Sequence, residues 1–233
     1  MPFLYGLEMS GLINTQINLS RDIPSECARK LLNNEIDVGL IPVAVIPQLK
    51  ESYIISDFCI GANGAVNSVM LYSEVPLEKI VKIYLDYQSR TSVQLVKILA
   101  KEFWKIKPEF IAAEKGFENN ISGTTAAVVI GDRTFELNKK FTYVFDLAEE
   151  WKKMTGLPFV FACWVANKKI DDEFQKQFNA ALKHGINNIE KSIAHYHLQE
   201  KYSTNVLEYL KKYIQYNFGE TQKSALKTFL FKI

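Results

Sequence analysis

The chain has 233 residues, 48% of them hydrophobic and 23% charged, and its 28 basic side chains nearly balance 26 acidic ones. This length suits one large domain or two small lobes at ~150 residues per domain; the hydrophobic share excludes a mainly disordered chain, and a net charge of +2 lacks the basic excess of a nucleic-acid-binding surface. No apolar run approaches the ~20 residues of a membrane span, and Met1-Pro2-Phe3-Leu4-Tyr5-Gly6 has neither the basic stretch nor the apolar core of a signal peptide.

Pro24 opens a helical pattern in which Cys27, Ala28, Leu31 and Leu32 recur at helix spacing, with Ser25 and Glu26 as acceptors near its start. Residues 36–42, 68–73 and 81–86 each predict a short strand. After Ser89-Arg90-Thr91-Ser92 a helix runs through Leu95, Val96, Leu99 and Phe103. Residues 126–132 predict a strand ending in a turn. Asp146 opens a helix through Leu147, Trp151 and Met154, stopped by Gly156 with Pro158 behind it. Residues 159–166, with Phe159, Phe161, Cys163 and Trp164, are apolar enough for a central strand. From 171 to 226 nearly everything reads as helix, including the Tyr209, Tyr213, Tyr216 stripe.

Short apolar runs alternating with longer amphipathic stretches predict an α/β fold. The strand at 68–73 runs into Val75-Pro76-Leu77, and the strand at 159–166 can return the chain to its first lobe. The expected layout is a discontinuous first lobe (residues 1–75 plus 160–233) with a second lobe (76–159) inserted. Such two-lobed binding-protein folds place ligands in the cleft between lobes.

Three loops carry candidate chemistry. Ser89-Arg90-Thr91-Ser92 lies where a strand ends and a helix begins, so backbone N–H groups, hydroxyls and the helix dipole converge as a carboxylate or phosphate requires; ordinary N-capping explains the same residues. In residues 61–68 the glycines let a backbone approach a ligand and Asn63, Asn67 and Ser68 offer hydrogen bonds, although taken alone the loop reads better as a plain turn. Gly131-Asp132 is a strand-end turn that either meets a ligand or caps the next element of the chain. No phosphate-binding loop, dinucleotide fingerprint, metalloprotease or serine-hydrolase motif is present. His184, His195 and His197 sit outside the three loops, and the i, i+2 spacing of the last two argues against a shared metal. Three widely spaced cysteines (Cys27, Cys59, Cys163) suit reduced thiols in a cytoplasmic protein.

Taken together, these segments resemble the menaquinone-biosynthesis family of the futalosine pathway, and within it the chorismate dehydratase branch. The resemblance runs through residues 35–42 (Glu-Ile-Asp-Val-Gly-Leu-Ile-Pro), 64–69 (Gly-Ala-Val-Asn-Ser-Val), 85–92 (Leu-Asp-Tyr-Gln-Ser-Arg-Thr-Ser) and 129–132 (Val-Ile-Gly-Asp). It continues through Asp146-Leu147 with Trp151, residues 155–164 (Thr-Gly-Leu-Pro-Phe-Val-Phe-Ala-Cys-Trp) and the Tyr209–Tyr216 end, covering almost the whole chain in order.

The resemblance implies a type II periplasmic-binding-protein-like fold used as a cytoplasmic enzyme. It implies conversion of chorismate, the small-molecule partner, to 3-[(1-carboxyvinyl)oxy]benzoate and water, with no cofactor, metal, membrane or nucleic acid. By position, Ser68 becomes the catalytic candidate, and Ser89, Thr91 and Ser92 the cluster that holds a carboxylate. Asn63, Gly131 and Asp132 complete the substrate-binding candidates. The family places Tyr-Leu-Asn-Thr, the end of its first strand with an active-site asparagine, ahead of its Pro-Phe/Leu segment, whereas Met1 stands directly before Pro2-Phe3 here; the true start is expected upstream, the alternative being an inactive or rearranged protein. Two alternatives stay open. The dihydroxynaphthoate synthase branch relies on a histidine in the inserted lobe, and residues 76–157 contain none. A solute-binding or sensor protein on the same fold would carry a lipoprotein or secretion signal.

Overall fold

Among the residues described in the computed structural model (1–12, 15–137 and 140–233), nine strands divide between two sheets. In chain order they are β1 Val38–Pro42, β2 Tyr53–Ala62, β3 Val69–Ser73, β4 Lys82–Leu85, β5 Glu109–Ala112, β6 Thr125–Ile130, β7 Tyr143–Asp146, β8 Phe159–Ala166 and β9 Gln215–Asn217. The helices are α1 Pro2–Met9, α2 Pro24–Leu32, α3 Arg90–Ile98, α4 Thr134–Leu137, α5 Leu147–Thr155, α6 Asp172–Asn187, α7 Ile189–His195, α8 Leu198–Lys201, α9 Val206–Glu208 and α10 Glu220–Lys232.

The first sheet has the order β1-β8-β2-β9 with antiparallel neighbours. The second has the order β5-β4-β6-β3-β7; β4 runs parallel to β5 and β6, and β3 antiparallel to β6 and β7. The chain crosses from the first sheet to the second between β2 and β3 and returns between α5 and β8. β3, expected in the first lobe, therefore belongs to the second sheet: Leu71 pairs with Val128 on one side and Phe145 on the other. The outward crossing falls at residues 63–68 rather than near 75.

Local chemistry explains the elements that frame this crossing. The Asp146 carboxylate caps α5 by accepting from the amides of Ala148 and Glu149, and Gly156, at φ +75°, ends the helix in the left-handed conformation a glycine adopts without cost. Ser89 caps α3 by accepting from the Ser92 amide. β8 is apolar along its whole length because it is covered on both faces: Cys163 and Val165 join a core shared with α3, α5 and α10, while Trp164 and Ala166 pack under α1 and α6. In the shared core Trp151 of α5 stands edge-on to Phe159 of β8 at 5.3 Å and to Phe229 of α10 at 6.0 Å, joining the two halves. α1 crosses α6 with the backbones in direct contact. A Cβ on Gly6 would sit 2.0 Å from the Ala181 carbonyl oxygen, and one on Gly185 would sit 1.9 Å from that of Pro2.

The C-terminal third differs from the expected run of helix. It breaks into α6, α7, α8 and α9, then a π-helical turn over Tyr209–Tyr213, then β9, before α10 resumes. β2, the longest strand, has no counterpart among the strands expected from sequence. No helix among the described residues is long and apolar enough to cross a membrane.

Candidate functional site

The strand register assembles the site. β4 and β6 are parallel neighbours, so their C-terminal ends share one edge of the second sheet, and antiparallel β3 begins at that same edge, with Val69 opposite Ile130. Ser68, the Gly131–Arg133 turn and the segment from Asp86 to the start of α3 thus meet at the carboxyl ends of parallel strands, where open α/β sheets bind ligands. This edge faces the first sheet. Thr91 Oγ1 donates to the carbonyl of Phe161 in β8 at 3.1 Å and accepts from the amide of Ala44, just after β1, at 3.3 Å.

Ser68 is held from several directions. The second carboxylate oxygen of Asp146 accepts from the amides of Val66 (2.7 Å) and Asn67 (2.6 Å), fixing the loop before it, and Asn67 adopts φ +60°. The Ser68 carbonyl accepts from the Gly131 amide at 2.8 Å. Thr134 Oγ1 donates to the carbonyls of Gly131 (2.7 Å) and Asn67 (3.3 Å). Burial raises the Asp146 pKa against the lowering effect of its four N–H bonds. The buried Ser68 hydroxyl lies 2.7 Å from the phenol oxygen of Tyr209.

Tyr209 comes from the C-terminal segment of the first half and is packed by the second: Phe135 stands edge-on to it at 5.3 Å and to Tyr202 at 6.3 Å. Desolvation pushes the Tyr209 phenol up to about 12. Tyr202 hydrogen-bonds Asp132, which raises its pKa to about 12. A recess of about 260 Å³ opens beside Tyr209, between Asn67 and Phe135 on one side and Asn205, Glu208 and Tyr213 on the other. A larger groove of about 690 Å³, between β2 and α10, shares no residue with this site.

The hydroxyl cluster divides by role. Thr91 spends its only proton on Phe161 and keeps just acceptor capacity, which a carboxylate repels. Ser89 donates to Ser92 Oγ at 2.8 Å while accepting from the Ser92 amide at 3.0 Å. The Ser92 hydroxyl proton and the amides of Arg90 and Thr91, which precede any intrahelical acceptor, remain as donors for an anion. Asp86 braces this end: its carboxylate accepts from the Gln88 amide at 3.0 Å and the Ile130 amide at 2.9 Å and pairs with Arg133, which also pairs with Glu118. Burial raises the Asp86 pKa, with Arg133 working against that.

The remaining candidates separate. Gly131 lies beside Ser68 at φ +70° with open space where a Cβ would point, and Asp132 is exposed and engaged by Tyr202. Asn63 is exposed, and its side-chain carbonyl accepts from Lys152 of α5 at 2.8 Å, turned to the protein rather than to Ser68. All three histidines are exposed. Cys59 and Cys163 face each other across β2 and β8, fully buried, and burial raises both thiols, so they pack rather than react. Among the described residues no group of three or more metal-ligating side chains forms. Tyr209 and Tyr202 join the site unmarked as site residues in the sequence: Tyr209 stands out there only as part of a helix-spaced tyrosine stripe and of the resembling C-terminal segment, and Tyr202 not at all.

Over residues 1–233 the chain matches the family model described as menaquinone biosynthesis. It belongs to that family. Among curated proteins, a chorismate dehydratase of Thermus thermophilus is 30% identical over 165 residues, covering 63% of this chain and 60% of that protein. Another from Campylobacter jejuni is 27% identical over 219 residues, covering 90% of this chain and 81% of that protein. Among solved structures, a crystal structure of an Archaeoglobus fulgidus protein matches with TM-score 0.71 at 17% identity, covering 99% of this chain and 91% of that one. The alkanesulfonate-binding protein of Xanthomonas axonopodis pv. citri, bound to MOPS, matches with TM-score 0.54 at 13% identity, covering 100% of this chain and 80% of that one. The menaquinone-biosynthesis chain thus has a two-lobed, type II periplasmic-binding-protein-like α/β fold.

Proposed function

We propose that this member of the menaquinone-biosynthesis family is a chorismate dehydratase, a lyase that converts chorismate to 3-[(1-carboxyvinyl)oxy]benzoate and water. The observation that carries the reading is the meeting of the Ser68 hydroxyl and the donor-rich start of α3 at one sheet edge facing the other lobe. Chorismate presents a ring carboxylate and a departing hydroxyl, which call for an anion site and a hydroxyl donor held apart by a rigid frame. The kinship with two chorismate dehydratases supports the same substrate.

Elimination breaks the C3–H and C4–O bonds and makes the ring aromatic. The C3–H is conjugated through a ring double bond to the ring carboxylate, so its loss drives charge onto that group. The Ser92 hydroxyl and the amides of Arg90 and Thr91 bind that carboxylate and stabilise the charge as it develops. Ser68 orients the departing C4 hydroxyl, and Gly131 lets the backbone approach the ring. The substrate's own enolpyruvyl carboxylate takes the C3 proton, with the cleft supplying geometry rather than a protein base. The proton removed from C3 completes the water, so the reaction balances without a cofactor. The same reading places the enzyme in the cytoplasm, in the futalosine pathway. The dihydroxynaphthoate synthase alternative is disfavoured by the absence of histidine from residues 76–157.

Ser68→Ala and Ser92→Ala test the assignment. Removing one preorganised donor lowers turnover roughly a hundredfold, with chorismate consumption followed by absorbance. Two folded variants with wild-type rates would refute the roles given to these serines.

A further inference from the structure

We propose that Tyr209 is a positioning residue that aims the Ser68 hydroxyl proton at the departing hydroxyl of the substrate. This rests on the dehydratase reading above and deepens it, because nothing in that reading says what holds the buried Ser68 hydroxyl in place.

Three observations converge on Tyr209. Its phenol oxygen lies 2.7 Å from Ser68 Oγ, and the two residues are 141 positions apart, so the contact exists only because the halves of the molecule come together. Its ring is clasped edge-on by Phe135, two residues beyond the Gly131–Arg133 turn that borders the site. It begins a π-helical turn, whose extra residue per turn displaces a side chain from the ordinary helical register and which recurs at functional sites.

The hydroxyl chemistry sets the direction of the hydrogen bond. A phenol is a stronger donor than an aliphatic alcohol, and an alcohol the stronger acceptor. In the proposed arrangement Tyr209 donates and Ser68 accepts. Desolvation outweighs the lowering effect of the Ser68 hydrogen bond and keeps the phenol protonated throughout the neutral range, so its proton is available to donate. With one lone pair occupied, the Ser68 proton turns away from Tyr209 toward the space between the lobes, where it donates to the C4 oxygen as the C–O bond breaks. No net proton leaves Tyr209 or Ser68. The C–O electron pair departs with the oxygen, the C3–H pair becomes the new ring double bond, and the proton from C3 completes the water.

Kinetics of wild type, Tyr209→Phe, Ser68→Ala and the double variant, on the full chain with chorismate, decide the matter. Phenylalanine keeps the ring against Phe135 and removes only the donor. Tyr209→Phe, checked as folded by circular dichroism, lowers kcat about tenfold with KM within about twofold. The double variant is no slower than Ser68→Ala, because the two hydroxyls act through one path. Site-specific 3-fluorotyrosine at 209, which keeps ring and donor, restores wild-type kcat. A Tyr209→Phe enzyme with wild-type kcat, a double variant whose loss is the product of the single losses, or a change confined to KM would each overturn the role of Tyr209 while leaving the dehydratase reading standing. A wild-type protein that makes no product from chorismate overturns both.

Discussion

The hydroxyl of Thr91 donates to the carbonyl of Phe161 across 3.1 Å and so fastens the first turn of α3 in the second sheet's half to β8 in the first. The same oxygen receives the amide of Ala44, so one side chain satisfies two backbone groups on the opposite lobe. α3 cannot shift against the first sheet's half without breaking these bonds, and its N-terminal donors stay fixed relative to that half.

Thr91→Val keeps the shape and loses both bonds, leaving an amide and a carbonyl unpaired. Stability should fall by roughly 1–3 kcal/mol, while Thr91→Ser stays close to wild type. Urea unfolding of the three proteins measures this. A valine variant as stable as wild type would show that the two bonds add nothing.

Asp146 joins two tasks: one carboxylate oxygen caps α5 and the other holds the amides of Val66 and Asn67 ahead of Ser68. An asparagine can accept on one side only and turns its NH2 toward two N–H groups on the other. Asp146→Asn should cost about 2–4 kcal/mol and lower kcat in the protein that still folds, because Ser68 loses its anchor. Thermal melting and steady-state kinetics on the same preparation separate the two effects.

At the crossing of α1 and α6 the helices touch through Gly6 and Gly185, and a methyl group at either would lie about 2 Å from a carbonyl oxygen of the other helix. Gly185→Ala should destabilise the protein by roughly 1–3 kcal/mol or more through overpacking, despite the better helix propensity of alanine. A rise in melting temperature would contradict the contact.

Tyr209 also predicts a pH dependence. An unfolded tyrosine ionises near 10.0, whereas the folded phenol holds its proton to about 12. The stability from this difference is complete below pH 10 and is lost as pH rises through 12. The advantage of wild type over Tyr209→Phe should therefore be constant from about pH 7 to pH 10 and shrink above it. Chemical unfolding at three pH values checks the sign, and an advantage that grows with pH would reverse it.

Elements governed by local chemistry were legible in the sequence: the Asp146 cap and Gly156 stop of α5, the Ser89 cap of α3, and apolar β8. Those settled by distant partners were not. β2 lacks clean alternation because irregularities break its register between Ile54 and Cys59 and again after Ile60. Residues 209–216 carry helix-spaced tyrosines, yet β9 forms there because Gln215 and Asn217 pair with β2. β3 reads as a strand, but which sheet it joins depends on β6 and β7, far along the chain. In the site, Ser68 and the start of α3 were marked by local residue types. The commitment of Thr91 to Phe161, the turning of Asn63 to Lys152 and the approach of Tyr209 to Ser68 are tertiary contacts with no local signature.

Incubation of the purified protein with chorismate alone, with the product tracked by absorbance and mass, decides whether the protein is a dehydratase. Chorismate should disappear and an aromatic product lighter by one water should appear, with no added cofactor or metal, and sharply more slowly with Ser68→Ala. Chorismate recovered unchanged from the folded wild-type protein would contradict it.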